Sequence, residues 1–327
     1  MDNCRADRIA AIVHVGTTVY CRLISGKPGS GTDALKDRQQ ERLHGGRSTQ
    51  RPVSPALRVL RFLFSRVGGV LPGVMGRWAY RLWFRTRRFP ESAAGKRATG
   101  GAVRSTLAVD GIPVAIYSWG AGPVVLFVHG WSGRGNQVAA FIDPMTQAGY
   151  RVIAVDAPGH GETPGDRTNI FECVAVLQAV AREYGPLHAA ITHSFGGMVL
   201  AYAMRHGLAV RRAVCISAPA DIDFLLQSFA GVLAMHPAVV ENLRRRLARR
   251  FNENFNEYLS TRVNVQNLSA PALIIHDEDD ASVPWQQGEA IAAAWPGARF
   301  LKTRGCGHGR ILRDAATVRA VVEFIAG

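Results

Sequence analysis

Residues 104–327 predict an α/β architecture: a doubly wound, mostly parallel sheet of eight strands with a short helical cap. Three observations carry that expectation. Short apolar, β-branched runs recur without the polar alternation of a half-exposed sheet, as strands buried on both faces require. Segments with apolar residues three and four apart lie between most of those runs, the rhythm of strands joined by crossover helices. One long segment of helical pattern, 220–267, interrupts the alternation where a lid over a pocket would be inserted.

The elements follow in chain order. Residues 1–55 are rich in Gly, Ser, Thr, Arg and Gln without sustained periodicity, and predict a disordered extension or one created by a start codon assigned too far upstream. Residues 56–103 make a basic helical segment. Within it, 56–89 repeat leucine, valine and aromatic residues at helical spacing with arginines between them, and Gly68, Gly69, Pro72 and Gly73 predict a break into two amphipathic helices. Strands at 105–109 and 114–119 flank Asp110-Gly111, a dipeptide suited to a tight hairpin turn. Further strands are expected at 124–129, 150–156, 187–194, 212–217, 272–276 and 298–303, and helices at 136–148, 169–184, 196–206, 285–295 and 310–326. In the cap, Leu243, Leu247, Phe251 and Phe255 stand four apart and predict one helix face.

The net charge of +14 belongs to one part of the chain. Residues 1–104 hold 20 Lys/Arg against 6 Asp/Glu, while residues 105–327 hold 19 of each. A neutral body without a nucleic-acid motif argues against nucleic acid as a partner. The basic 56–89 segment leaves two readings open: packing on the body with its arginines solvated, or peripheral contact with an anionic membrane surface. The cap run Arg244-Arg245-Arg246-Leu247-Ala248-Arg249-Arg250 reads as a solvated face, with contact to acidic headgroups or an anionic substrate as the alternative. Five cysteines (Cys4, Cys21, Cys173, Cys215 and Cys306) form no CxxC pair, which points away from a disulfide framework or zinc site and toward a reducing, cytoplasmic setting. No uncharged apolar run reaches the ~18 residues of a spanning helix, and no signal peptide is expected.

Four separated motifs carry the chemistry: Val128-His129-Gly130-Trp131, Asp156-Ala157-Pro158-Gly159-His160-Gly161, Thr192-His193-Ser194-Phe195-Gly196-Gly197, and a late acid followed by Gly305-Cys306-Gly307-His308-Gly309. In this order, from about Arg104 to Gly327, they resemble the α/β-hydrolase superfamily of serine hydrolases, of the kind with a short helical cap. A serine hydroxyl needs a base to take its proton, so the resemblance implies that Ser194 projects from a strained strand-to-helix turn toward a histidine. Thr192 departs from the glycine common at that position of the turn, and its hydroxyl offers a local hydrogen bond.

The order Ser, acid, His makes His308 the base, on a glycine-rich loop after the last strand. For the acid, counting back from Val283-Pro284 in the acidic loop gives Asp280, with Asp279 as the fallback and Asp221 or Asp223 as a disfavoured arrangement; Asp277 fills a position that is glycine in relatives. Four acids in a row otherwise read as a solvated turn. The resemblance assigns the oxyanion hole to the backbone N–H groups of Trp131 and Phe195. Asp156 and His160 read as turn geometry, with no chemistry assigned.

The implied activity is hydrolysis of an ester, thioester or related acyl bond through an acyl-enzyme, with a small-molecule acyl substrate and neither cofactor nor metal. A serine at the turn, in place of an aspartate, argues against epoxide hydrolase or dehalogenase chemistry. The alternative from another class is a non-catalytic protein that keeps the fold as a ligand pocket or membrane-attached scaffold.

Overall fold

The hairpin at Asp110-Gly111 begins the sheet. Strand β1 (Val103–Val109) pairs antiparallel with β2 (Ile112–Trp119), and both turn residues have positive φ, 47° and 78°, the backbone twist that a two-residue hairpin needs. The structure is a computed structural model that describes residues 54–91, 93–252 and 254–327; the expected extension, apart from its last two residues, lies outside the described residues.

Six more strands complete the sheet: β3 (Val124–Val128), β4 (Arg151–Val155), β5 (Leu187–His193), β6 (Val210–Ile216), β7 (Ala272–Asp277) and β8 (Arg299–Thr303). Their order is β1-β2-β4-β3-β5-β6-β7-β8, with the β1–β2 and β2–β4 pairs antiparallel and every pair from β4 to β8 parallel. Strand β3 shows why these runs are apolar throughout. Val124, Leu126 and Val128 point into the core on one face, and Val125 and Phe127 into the core on the other.

Helices α5 (Ile170–Tyr184), α6 (Phe195–Arg205) and α10 (Trp285–Ala294) contribute buried residues to the first core; α4 (Ala139–Gln147) and α11 (Ala315–Ala326) contribute to the second. α11 begins five residues later than its periodicity suggested. The Asp314 carboxylate caps it by accepting the Thr317 N–H at 2.8 Å, and short turns occupy Gly307–Arg310 and Ile311–Arg313.

The interruption between β6 and β7 folds as helices α7 (Ile222–Leu233), α8 (Pro237–Phe251) and α9 (Phe255–Leu259), with a final turn at Thr261–Asn264. The expected stripe is split. Leu243 and Leu247 are buried on α8, but the helix ends at Phe251 and Asn252 takes φ 131°, so Phe255 belongs to the next helix.

Against α8 lie the helices of the basic segment. α1 (Pro55–Phe62) continues through a wide turn at Leu63–Val67 to Val70, and α2 (Pro72–Trp83) follows a break at Leu71. Val239 of α8 stands directly over Gly68, the His236 N–H donates to Phe64 O, and Arg61 Nε donates to Val232 O at 3.0 Å.

Beyond α2, residues 84–91 form a strap along the loop that follows β4. Thr86 N donates to Asp166 O and Thr86 Oγ1 to Gly159 O at 2.8 Å, while Thr168 N donates back to Phe84 O. A helix α3 (Ala93–Gly100) then leads into β1. The carboxyl ends of β3 to β8 share one edge of the sheet, and the four motifs lie in the loops there.

Candidate active site

Ser194 sits between the end of β5 and the first residue of α6 with φ 52° and ψ −122°, a conformation that costs a non-glycine residue of order 1–3 kcal/mol. Its backbone N–H donates to Ile216 O on the adjacent strand at 2.9 Å, which holds the turn from that side. The turn closes tightly because strand and helix nearly touch: a Cβ at Gly196 would lie 2.5 Å from Val128 O. Thr192 is fully buried two positions before the serine, and its Oγ1 donates to Val214 O at 2.9 Å. The hydroxyl is therefore satisfied across the strand pair, which is how a β-branched polar residue is accommodated here.

The Val128-His129-Gly130-Trp131 loop presses against this turn, since a Cβ on Gly130 would come within 2.9 Å of the Ser194 Cβ. The Trp131 ring meets Phe195 edge-to-face at 5.1 Å and His160 at 5.8 Å. Of the neighbouring N–H groups in that loop, Ser132 donates to His160 Nε2 at 2.9 Å and Gly133 to Gly130 O. For His160 to accept there, its proton must reside on Nδ1, which faces Pro158 O at 3.0 Å. Burial pushes His160 down to about 3, with the nearby His129 adding to the effect, so it is neutral. His129, also pushed down by burial, accepts the Ala157 N–H on Nε2 at 3.1 Å.

Asp156 is buried and accepts from Gly135 N at 2.6 Å, from Glu162 N at 2.8 Å and from the Tyr117 hydroxyl at 2.9 Å. These two motif residues, read from sequence as turn geometry, thus form the wall behind the Trp131 loop. The strap reaches the same loop: Arg87 N donates to Ser132 Oγ at 3.1 Å, and Glu91 Oε1 accepts from Asn136 Nδ2 at 2.8 Å. Nothing in residues 84–91 marks that contact in advance, because no local pattern encodes which loop they will cross.

On the other side, His308 Nδ1 meets Asp280 Oδ2 at 2.7 Å, both side chains buried. Burial opposes the charge on Asp280, but hydrogen bonds from His276 and His308, with the Val283 N–H, overcome it and hold the carboxyl below the usual carboxylate range. The Ser282 N–H donates to the same carboxylate at 2.8 Å. His276 is fully buried at the end of β7, with Nε2 2.8 Å from Val283 O and 3.5 Å from Asp280 Oδ2. Its signal in the sequence was faint, a polar residue closing an apolar strand.

The acidic loop departs from a solvated turn at two of its four positions. Asp277 and Asp280 are buried; Glu278 and Asp279 are exposed. Asp279 does not reach His308: its Oδ2 accepts the Gly305 N–H at 2.9 Å. Asp277 accepts from Gly307 N at 2.7 Å, Cys306 N at 3.1 Å and Thr303 Oγ1 at 2.7 Å, so two acids staple the loop that presents the histidine and a third meets the ring. Asp221 and Asp223 are spent elsewhere, on Arg262 and Arg244 of the cap. Between the two sides, the ring of His193 lies 4.7 Å from that of His308, and its Nε2 is 2.8 Å from His308 O. Burial pushes His193 down to about 3.

The site thus combines a serine on a strained turn, an imidazole whose Nδ1 is held by a carboxylate, and a loop pressed against the serine, groups of the kind that acyl transfer uses. A family model described as "Alpha/beta hydrolase family" matches residues 125–321. A non-heme haloperoxidase from Rhodococcus erythropolis is 26% identical over 267 residues, covering 67% of this chain and 97% of that protein. A bifunctional esterase/perhydrolase from Acinetobacter calcoaceticus is 24% identical over 269 residues, covering 66% and 97%. Among solved structures, a bromoperoxidase from Bacillus anthracis superposes with a TM-score of 0.55 at 19% identity, covering 69% of this chain and all of that one.

Proposed function

The chain belongs to the α/β-hydrolase family, and on that premise we propose that it is a serine hydrolase cleaving an ester, thioester or related acyl bond of a small molecule. The observation that carries the proposal is the buried 2.7 Å contact between His308 Nδ1 and Asp280 Oδ2, at the sheet edge that also bears the strained Ser194. In this reading Ser194 Oγ attacks the acyl carbon while His308 Nε2 takes its proton. The Asp280 carboxylate holds the imidazole by Nδ1 and stabilises the imidazolium that forms. The N–H groups of Phe195 and Trp131 receive the developing oxyanion, a contribution typically worth about 3 kcal/mol per donor. His308 returns the proton to the leaving group, and water, deprotonated by the same ring, releases the acyl group from Ser194.

The esterase activity in the name of the Acinetobacter relative supports this class. The five cysteines, none in a CxxC pair, support the reducing, cytoplasmic setting expected from the sequence. The test is labelling with a fluorophosphonate, which phosphonylates an activated serine. A mass shift on the wild-type chain that is lost in Ser194→Ala supports the proposal. A folded protein that ignores the probe and every acyl ester in a graded chain-length series would instead favour the non-catalytic pocket.

A further inference from the structure

Seven large apolar side chains are exposed among the described residues, and five of them, Val59, Phe62, Val70, Leu71 and Val74, lie within one short stretch of the basic segment. Phe62, Val70 and Val74 are 60%, 78% and 63% exposed, far from the edge-of-core exposure that single surface residues show. Exposed positions recur at Arg58, Phe62, Arg66 and Val70 before the break at Leu71 and at Val74, Arg77 and Arg81 after it, in steps of three or four within each helical stretch. The opposite side, with Leu57, Leu60, Phe64, Gly68, Met75 and Ala79, is buried.

That inward side is already occupied. Val239 covers Gly68, and α8 reaches the α2 backbone where Arg246 Nη2 lies 3.5 Å from Gly73 O. Packing on the cap therefore explains the buried half of these amphipathic helices and leaves the outer half unexplained. The charge of the outer half is one-sided: Arg58, Arg66, Arg77 and Arg81 lie on it, and residues 55–90 contain no aspartate or glutamate. It also offers little to specify a fixed protein partner. Its one serine, Ser65, turns its hydroxyl back to Phe62 O.

We propose that residues 58–81 form a docking surface for an anionic lipid bilayer. Phe62, Val70, Leu71 and Val74 enter the boundary between headgroups and acyl chains, and Arg58, Arg66, Arg77 and Arg81 extend their guanidinium groups to lipid phosphates. The electrostatic match is what selects this occupant: apolar residues set among arginines alone suit a surface that is fluid, apolar beneath and negative at its face. The inference is independent of the hydrolase reading, since none of these side chains belongs to the candidate site.

The experiment uses the full chain and vesicles of phosphatidylcholine, with and without phosphatidylglycerol, in a sedimentation assay. The protein is expected to pellet with the anionic vesicles only, and raising the salt is expected to release it. Replacing Phe62, Val70 and Leu71 together by aspartate is expected to weaken binding on the order of 100-fold, by removing the apolar burial and repelling the surface. Those side chains are exposed, so the melting temperature and the hydrolysis of a water-soluble ester should be unchanged. Each single change Arg66→Gln or Arg77→Gln is expected to weaken binding roughly fivefold. Three outcomes would overturn the proposal: a full chain that stays in the supernatant with anionic vesicles, a triple variant that pellets like the wild type, or a vesicle-indifferent dimer that the triple variant dissociates. The last would assign the face to a second copy of this chain.

Discussion

The Asp277 carboxylate accepts the backbone N–H of Gly307 at 2.7 Å, across thirty positions of sequence, and so ties the loop that presents His308 to the end of β7. The same carboxylate takes Cys306 N, Asp279 N and Thr303 Oγ1, and these bonds outweigh the cost of its burial and hold its pKa below the ordinary value.

Asp277→Ala should therefore loosen the histidine loop. It strands the N–H groups of Gly307, Cys306 and Asp279, which are partly shielded from water, at up to about 1–3 kcal/mol for each that stays buried. We expect a lower melting temperature and slower ester hydrolysis, with Asp277→Asn intermediate in both. Unchanged melting in Asp277→Ala would show that the staple contributes nothing.

The acidic loop gives a sharper comparison. Asp280→Asn removes the charge beside His308 and should slow hydrolysis on the order of a thousandfold or more, as should Ser194→Ala and His308→Ala. Asp279→Asn alters only a contact to Gly305 N and should stay within a few-fold of wild type. Steady-state kinetics on all four variants, each checked for its fold by circular dichroism, decides the matter; a sensitive Asp279 would move the acid one residue.

Thr192 tests the turn. Thr192→Gly keeps the space and loses the bond to Val214 O, so activity should persist with about 1 kcal/mol or somewhat more lost in stability. Thr192→Leu overfills a fully buried site and should depress both stability and rate. Wild-type behaviour in the leucine variant would contradict a tight turn beneath Ser194.

The buried imidazoles predict the acid limb of the stability curve. His160 and His193 have folded pKa values of about 3, below the ~6.5 of the unfolded chain, so the unfolded state binds more protons as pH falls. Stability is therefore full above pH ~6.5 and declines between ~6.5 and about 3, by up to about 1.4 kcal/mol per pH unit for each histidine. Asp280, whose folded pKa is also depressed, adds its loss as pH falls through the ~3.9 of an unfolded aspartate and below it. Melting temperatures from pH 8 down to pH 4 should begin to fall near 6.5, and His160→Gln should flatten that fall. A flat profile from pH 7 to 5 would mean that these rings take up protons in the folded protein.

The strands were legible because burial on both faces writes itself into local composition: Val124–Val128 is apolar at every position, and β3 lies inside the sheet. The Asp110-Gly111 hairpin was legible for a similar reason, since two residues of positive φ restrict the choice of side chain. The helix face projected across Leu243, Leu247, Phe251 and Phe255 failed because periodicity does not register a break; the backbone turns away at Asn252. Likewise Asp314 displaced the expected start of α11, a cap overriding a pattern that ran on through it.

By itself, then, the sequence determined the alternation of strands and helices, the order of the motifs and the sidedness of the basic segment, all properties carried by residues near one another. Only the tertiary structure decided how the four acids divide, with Asp277 and Asp279 holding the loop and Asp280 meeting His308. It alone drew His160 to Ser132 and the strap to the same loop, and it set one side of α1 and α2 on the cap while leaving Phe62, Val70 and Val74 in the open. The physical reason is common to all of these. A hydrogen bond or a packed contact between segments far apart in sequence depends on where the sheet delivers the two loop ends, and no local spacing of residues carries that distance.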